Sequence, residues 1–234
     1  PSPARASAPD ADERLTFVLP EEANAATVFL RLGYDIQLTP WLVSRGQFLK
    51  ERAPDLDSLQ RMPGLSLDDP LLEQLHLALK GVPGNGLQNL YLAVSRGLSY
   101  KENFEDHPVS WALENPHLCD CTEYSYLLAA LCLKRSIPAR VVTGFLIKPD
   151  LLDRETNVGH AWVETYFPDK GWVPVDPTLA ANMRWAYFGN LLSDQILFER
   201  PTVDAKARVS VDVTSTRNDL SLKISSSFLC SLIN

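Results

Sequence analysis

One stretch constrains the fold more than any other. Between Asp120 and Val175 a capped helix gives way, within a few residues of its end, to three β-patterned runs. Asp120 with Glu123 three residues on is a capping-box variant ahead of apolar residues that continue through Leu133, so a helix is expected with Cys121 in its first turn. Leu127, Leu128, Leu131 and Cys132 carry a buried stripe along it until Ser136-Ile137-Pro138 breaks it, which makes this helix central rather than peripheral. Residues 140–147, 160–167 and 172–175 then read as strands. Pro168-Asp169-Lys170-Gly171 is a turn, so the last two strands form an antiparallel hairpin, and residues 150–159 are a polar connection beside it.

Upstream, two helices are expected between Asp69 and Tyr100. Pro70 sits at a first-turn position after Asp68-Asp69, the run from Gly81 to Gly86 is a break, and Leu87, Leu90, Tyr91, Val94 and Leu98 recur at helical spacing. Residues 14–19 and 26–36 read as strands or a short helix, and residues 209–213 as a further strand before a polar tail. The expected organisation is an N-terminal tether and extension over residues 1–67, a catalytic core over 68–200, and C-terminal strands and tail over 201–234.

With 234 residues, 45% of them hydrophobic, the chain can bury a full core. A net charge of -7 and a pI near 5.1, with no block of Lys and Arg, argue against a nucleic-acid surface and point to protein or peptide partners. No run approaches the roughly 20 apolar residues that span a bilayer. The start, Pro1-Ser2-Pro3-Ala4-Arg5-Ala6-Ser7-Ala8-Pro9, reads as a flexible tether of the kind left by signal cleavage or by cloning, and points toward a periplasmic or secreted setting. Four cysteines make no disulfide framework in a chain this long, and Cys119 and Cys121 are too close to bridge without strain.

Three words carry the chemistry: Asp120-Cys121-Thr122-Glu123, His160-Ala161-Trp162-Val163-Glu164 and Asp176-Pro177-Thr178. They supply a thiol nucleophile, a base and an orienter for that base. A free cysteine titrates near pH 8.5, so its thiolate needs help at neutrality. In the first helical turn Cys121 faces the positive end of the helix dipole, and its N–H is a donor the helix cannot use, free to bind a tetrahedral oxyanion. Asp120 and Glu123 oppose a thiolate, which makes an imidazolium more necessary, and His160 is the expected source. His160 and Asp176 are equidistant in sequence from Pro168, so a hairpin folded about that residue sets them opposite one another. The turn signal centres slightly later, at Asp169-Lys170, which would require a bulge or a diagonal contact.

Taken singly, each residue also has a bland reading: Cys121 as a small buried residue, His160 as a packed imidazole beside Trp162, Asp176 as a turn residue before Pro177. Cys132 reads as core, Cys230 as incidental, and Cys119 as a small neighbour able to modulate Cys121. A metal reading, His117-x-Cys119-x-Cys121 with His160, has tighter cysteine spacing than zinc motifs use and leaves Asp176 without a task, so no metal ligands are expected.

Asp120-Cys121-Thr122-Glu123-Tyr124, the run Ile137-Pro138-Ala139-Arg140-Val141-Val142-Thr143-Gly144-Phe145, His160-Ala161-Trp162-Val163-Glu164, and Trp172-Val173-Pro174-Val175-Asp176-Pro177-Thr178 together resemble the transglutaminase-like superfamily, particularly its bacterial members. The resemblance spans roughly residues 68–179. It implies an α+β fold similar to papain-like cysteine proteases, with the nucleophile Cys121 at the N-terminus of a central helix packed on an antiparallel sheet, His160 as base and Asp176 as third member. It implies no organic cofactor, and cysteine-dependent acyl transfer on protein or peptide amide bonds through an acyl-enzyme that either water or an amine collects; the sequence itself shows no calcium loop of the EF-hand type, so no cofactor is expected. The alternative is an inactive binding or assembly module that kept the fold. Two positions depart from the family's usual glycines: Cys119, two residues before the nucleophile, and Ser136, before the Ile-Pro pair. No motif specifies a second oxyanion donor, and the upstream aromatics Tyr100 and Trp111 read as packing residues.

Overall fold

Local signals build the helices largely where the sequence places them. The computed structural model describes residues 5–6, 17–18, 41–42, 54–84, 86–103, 105–146, 155–156, 159–179, 186–191, 195–199 and 228–229. Its helices are α1 (Leu56–Gln60), α2 (Pro70–Lys80), α3 (Gly86–Gly97), α4 (Val109–Glu114) and α5 (Cys121–Lys134). Its strands are β1 (Arg5–Ala6), β2 (Phe17–Val18), β3 (Trp41–Leu42), β4 (Ala139–Leu146), β5 (Glu155–Thr156), β6 (His160–Phe167), β7 (Gly171–Val175), β8 (Asn190–Leu191), β9 (Gln195–Glu199) and β10 (Phe228–Leu229). Asp69 caps α2 by accepting from the N–H groups of Leu71 (2.8 Å) and Leu72 (3.1 Å), with Pro70 in the first turn where its missing N–H is harmless. The expected stripe Leu87, Leu90, Tyr91 and Val94 is the buried face of α3. The short helices α1 and α4 have no strong signal in sequence, and α4 begins after Pro108 without a side-chain cap.

The chain divides into two compact units, Pro1–Gln37 and Leu38–Asn234. In the first, β1 and β2 pair antiparallel with Arg5 opposite Val18, so part of the expected tether is paired and the reading of residues 14–19 resolves to strand at Phe17–Val18. The runs at 26–36 and 209–213, and Cys230, lie outside the described residues.

In the second unit a four-stranded antiparallel sheet has the order β7-β6-β4-β9. Strand β6 pairs with β4, Val163 opposite Val141, and with β7, Val163 opposite Val175. The hairpin between β6 and β7 closes through Lys170 N–H to Phe167 C=O (3.1 Å), with Gly171 in the left-handed region at φ 74°. The fourth strand, β9, was not anticipated from sequence, because a five-residue run becomes a strand only once the outer edge of β4 is there to receive its hydrogen bonds.

Helix α5 lies at the centre. Residues 123–125 and 127–133 are all buried, more than the single expected stripe, because α5 packs on the sheet and is also covered by α1, α2, α3 and α4. Its Leu127, Leu128 and Leu131 join Ala139, Val141, Ala161, Val163 and Val175 from the sheet and Leu90, Tyr91 and Val94 from α3 in one apolar core. Leu59 and Leu65, which precede residue 68, are buried in the same core. The helix ends in a Schellman motif: Ser136 N–H bonds Leu133 C=O and Ile137 N–H bonds Cys132 C=O, both at 2.9 Å. Ser136 occupies the left-handed position at φ 56°, where glycine is the usual residue.

Candidate functional site

The N-terminus of α5 is built by its capping box. Asp120, the N-cap, accepts from Thr122 N–H (2.9 Å), and the Glu123 carboxylate accepts in return from Asp120 N–H (2.8 Å). Cys121 is therefore the first residue of the helix, at the positive end of its dipole, and its thiol is half-buried. Glu123 does more than cap. Fully buried, it also accepts from Asn103 Nδ2 (3.1 Å) and from the backbone N–H of His107 (3.0 Å), tying the 101–107 loop to the helix start. Read from sequence as a charge opposing the thiolate, this carboxylate also accepts hydrogen bonds from three donors. Burial, only partly offset by the Thr122 N–H, and the charge of Glu123 push Asp120 up to about 6.

The hairpin brings the second and third residues together, though not directly opposite. The register puts Val175 across from Val163, so the turn centres on Asp169 rather than Pro168, and His160 meets Asp176 diagonally. His160 Nε2 and Asp176 Oδ2 are 2.7 Å apart and buried. The other Asp176 oxygen accepts from Thr178 N–H (3.0 Å) and Leu179 N–H (3.2 Å), which fixes the carboxylate. The imidazole lies over Trp162, ring centroids 5.9 Å apart. With Nε2 committed to Asp176, Nδ1 is left for the Cys121 thiol. Burial disfavours the imidazolium, but the charge and hydrogen bond of Asp176, then the hydrogen bond and charge of Cys121, outweigh it and raise His160 to about 10.

These side chains open onto one cleft of about 300 Å³, lined by Tyr100, Asp120, Cys121, Thr143, Gly144 and His160 among others. The register shift of β4 against β9 falls between Thr143 and Gly144, so the bulge shapes this wall. A larger cavity, about 510 Å³, lies at the other end of α5 against Glu73, His76 and Lys134 and holds no thiol.

The remaining sequence candidates separate from the site. The Cys119 thiol is buried, aimed at the Asn115 carbonyl (3.4 Å), and pushed up to about 11 by burial and then by Glu123. His117 Nδ1 pairs with Ser99 Oγ (3.2 Å), and no cluster of three potential metal ligands forms among the described residues. Cys132 is fully buried in the core, and burial raises its thiol to about 12. Trp111 packs as expected, its ring stacked on His107 at 3.9 Å, whereas Tyr100, also read as a packing residue, is 52% exposed at the cleft. Sequence reasoning missed the buried Arg140–Glu164 pair, Nη2 to Oε2 at 2.7 Å, with the guanidinium 3.8 Å over Trp172. Both residues lie in the motif words, and the strand register that sets Arg140 opposite Glu164 is the signal that would have paired them.

Residues 77–177 match the family model described as the transglutaminase-like superfamily. Among curated relatives, an uncharacterized protein YebA of Bacillus subtilis (strain 168) is 27% identical over 99 residues, 38% of this chain and 13% of that protein. A protein-glutamine gamma-glutamyltransferase of Pseudomonas aeruginosa is 39% identical over 64 residues, 25% of this chain and 9% of that protein. This chain thus matches only a small part of either relative's length. The solved structure of a candidate cysteine protease from Cytophaga hutchinsonii aligns with a TM-score of 0.44 at 18% identity, covering 60% of this chain and 46% of that one. With α5 seated on an antiparallel sheet, the fold is α+β, and the stretch that spans α5, β4, β6 and β7 is similar to the transglutaminase-like superfamily.

Proposed function

We propose that this chain is a cysteine-dependent acyl-transfer enzyme acting on amide bonds of proteins or peptides, with Cys121 as nucleophile, His160 as acid and base, and Asp176 as the group that orients the imidazole. One observation carries the reading: the buried 2.7 Å contact of His160 Nε2 with Asp176 leaves the opposite ring nitrogen to a thiol at the start of a central helix. Cys121 Sγ adds to the carbonyl carbon, the imidazolium gives its proton to the leaving amine as the C–N bond breaks, and an acyl-Cys121 remains. The neutral imidazole then takes a proton from the incoming acceptor, which displaces Sγ. The names of the relatives, a candidate cysteine protease and a protein-glutamine gamma-glutamyltransferase, cover water and an amine as acceptors, and the acyl-enzyme is the step common to both.

Mass spectrometry after limiting iodoacetamide is expected to find the label on Cys121 ahead of Cys119 and Cys132, and Cys121→Ala is expected to fold normally yet form no acyl adduct with an activated ester. Label concentrated on Cys132 with Cys121 inert, or a Cys121→Ala protein that unfolds, would favour a packing role and with it the inactive module.

A further inference from the structure

Part of the cleft wall beside Cys121 comes from outside both α5 and the sheet. Glu102, Asn103 and Asp106, from the 101–107 loop, line the same cleft as the thiol. Lys101, Glu102, Glu105 and Asp106 are exposed, so burial does little to hold these residues, and apart from the His107 ring on Trp111 their position rests on hydrogen bonds.

Those bonds converge on Glu123. Its Oε1 accepts from His107 N–H (3.0 Å), at the end of the loop. Its Oε2 accepts from Asn103 Nδ2 (3.1 Å), in the middle of the loop, and from Asp120 N–H (2.8 Å), in the capping box. Asn103 Nδ2 also reaches Leu118 C=O (3.2 Å), and Thr122 Oγ1 donates to Asp106 (3.3 Å). The Glu123 side chain is fully buried, so these partners decide where it sits.

A capping box alone does not ask for this residue. Glutamine serves at the same position, because one oxygen is enough to accept from the N-cap N–H. Here both oxygens are acceptors, one for the helix start and Asn103, the other for His107. A glutamine has a single oxygen, and with that oxygen kept on the cap its NH₂ group would meet His107 N–H, donor against donor. The second acceptor has a task beyond the cap, and its partner lies in the loop that supplies the wall.

We propose that Glu123 is a positioning residue for substrate binding: its buried carboxylate clamps the 101–107 wall to the helix that presents Cys121, and so seats a peptide acyl donor that extends past the reacting carbonyl. The inference rests on the acyl-enzyme reading above. Glu123 takes no part in the covalent steps and acts through Asn103 and the backbone at His107.

The test separates binding from chemistry in the full chain. The acyl donor is the p-nitrophenyl ester of N-benzyloxycarbonyl-glycylglycine, and the burst of p-nitrophenolate is followed against its concentration, which yields a maximal acylation rate and a half-saturating concentration. Glu123→Gln keeps the cap and loses the second acceptor. It is expected to raise the half-saturating concentration by about tenfold, the scale of one lost hydrogen bond to a charged acceptor, with the maximal rate within about twofold of wild type. Alkylation of Cys121 by iodoacetamide, which needs no seat for a peptide, is expected at the wild-type rate. Asn103→Ala removes the other anchor of the loop while leaving the cap, and is expected to shift half-saturation in the same direction. An unshifted half-saturation in either variant overturns the proposal. So does a maximal rate that falls in step with alkylation, which would mean the carboxylate acts on the thiol, or a lowered melting temperature with both reactions lost together, which would mean it serves the fold alone. A full burst in Cys121→Ala instead defeats the acyl-Cys121 reading itself, whatever Glu123→Gln does.

Discussion

Two buried ion pairs lie along β6, four residues apart, and they differ in what stands beyond them. Glu164 meets Arg140 across the β4–β6 register, and the guanidinium is closed over by Trp172. His160 meets Asp176 across the hairpin, and beyond the imidazole lies a cleft containing a thiol. Both pairs are desolvated and both are bonded at close to 2.7 Å. The first is enclosed by packing and has the character of a structural charge pair, whereas the second has one ring nitrogen left over, facing a group able to exchange a proton. What separates the two is the unspent valence at the cleft, and burial of charge alone does not mark a reactive site.

The comparison breaks most sharply at Asp176. Asp176→Asn is expected to lower the acylation rate by on the order of 10²- to 10⁴-fold, because the imidazole loses both its orienter and the charge that keeps it protonated. The pH dependence follows with a definite sign. A histidine whose folded pKa is raised contributes stability that is fully present below its unfolded value and is lost as pH rises through the folded value, here about 10. In Asp176→Asn that upper limit moves down, so the alkaline limb of acylation by an amide substrate, which needs the imidazolium to protonate the leaving amine and is measured as amine release across pH 5 to 11, should shift to lower pH. An unmoved limb would disconnect Asp176 from the base.

The enclosed pair should respond in stability and not in chemistry. Glu164→Ala leaves the Arg140 charge without its carboxylate and is expected to destabilise the fold by about 3–5 kcal/mol in urea denaturation. The folded fraction should still label at Cys121 at the wild-type rate. If activity fell while stability held, the two pairs would not be different in kind.

The smallest effect concerns the far end of α5. Ser136→Gly relieves a left-handed residue without Cβ-free backbone and is expected to stabilise by about 1 kcal/mol, read from the urea midpoint, with acylation unchanged. A neutral or negative result would mean that the Ser136 side chain compensates for its φ of 56°.

How much of this was legible depended on the range of the interactions involved. The start of α5 at Cys121 could be read directly, because a capping box is decided within four residues. The hairpin could be read too: folding about Pro168 would oppose His160 and Asp176 directly, but the turn signal at Asp169-Lys170 called for a bulge or a diagonal contact, and the register centres on Asp169 with the left-handed Gly171 closing the turn. The pair is diagonal. Glu123 was legible as a cap and illegible as the anchor of the 101–107 loop, since Asn103 and His107 reach it from 20 and 16 residues away. Tyr100 was read as packing because nothing within its own stretch of chain announces the bridge to Cys119.

The sequence by itself determined the helix that presents Cys121, the strand–turn–strand that presents His160 and Asp176, and the order of the motif words, because caps, turns and periodicity act between near neighbours. Tertiary structure alone decided which charges were enclosed and which faced the cleft, where β9 was received, and that Tyr100 stands beside the thiol. Those outcomes depend on strand register and on loops docked from distant parts of the chain, whose energies exist only once the partners have been brought together.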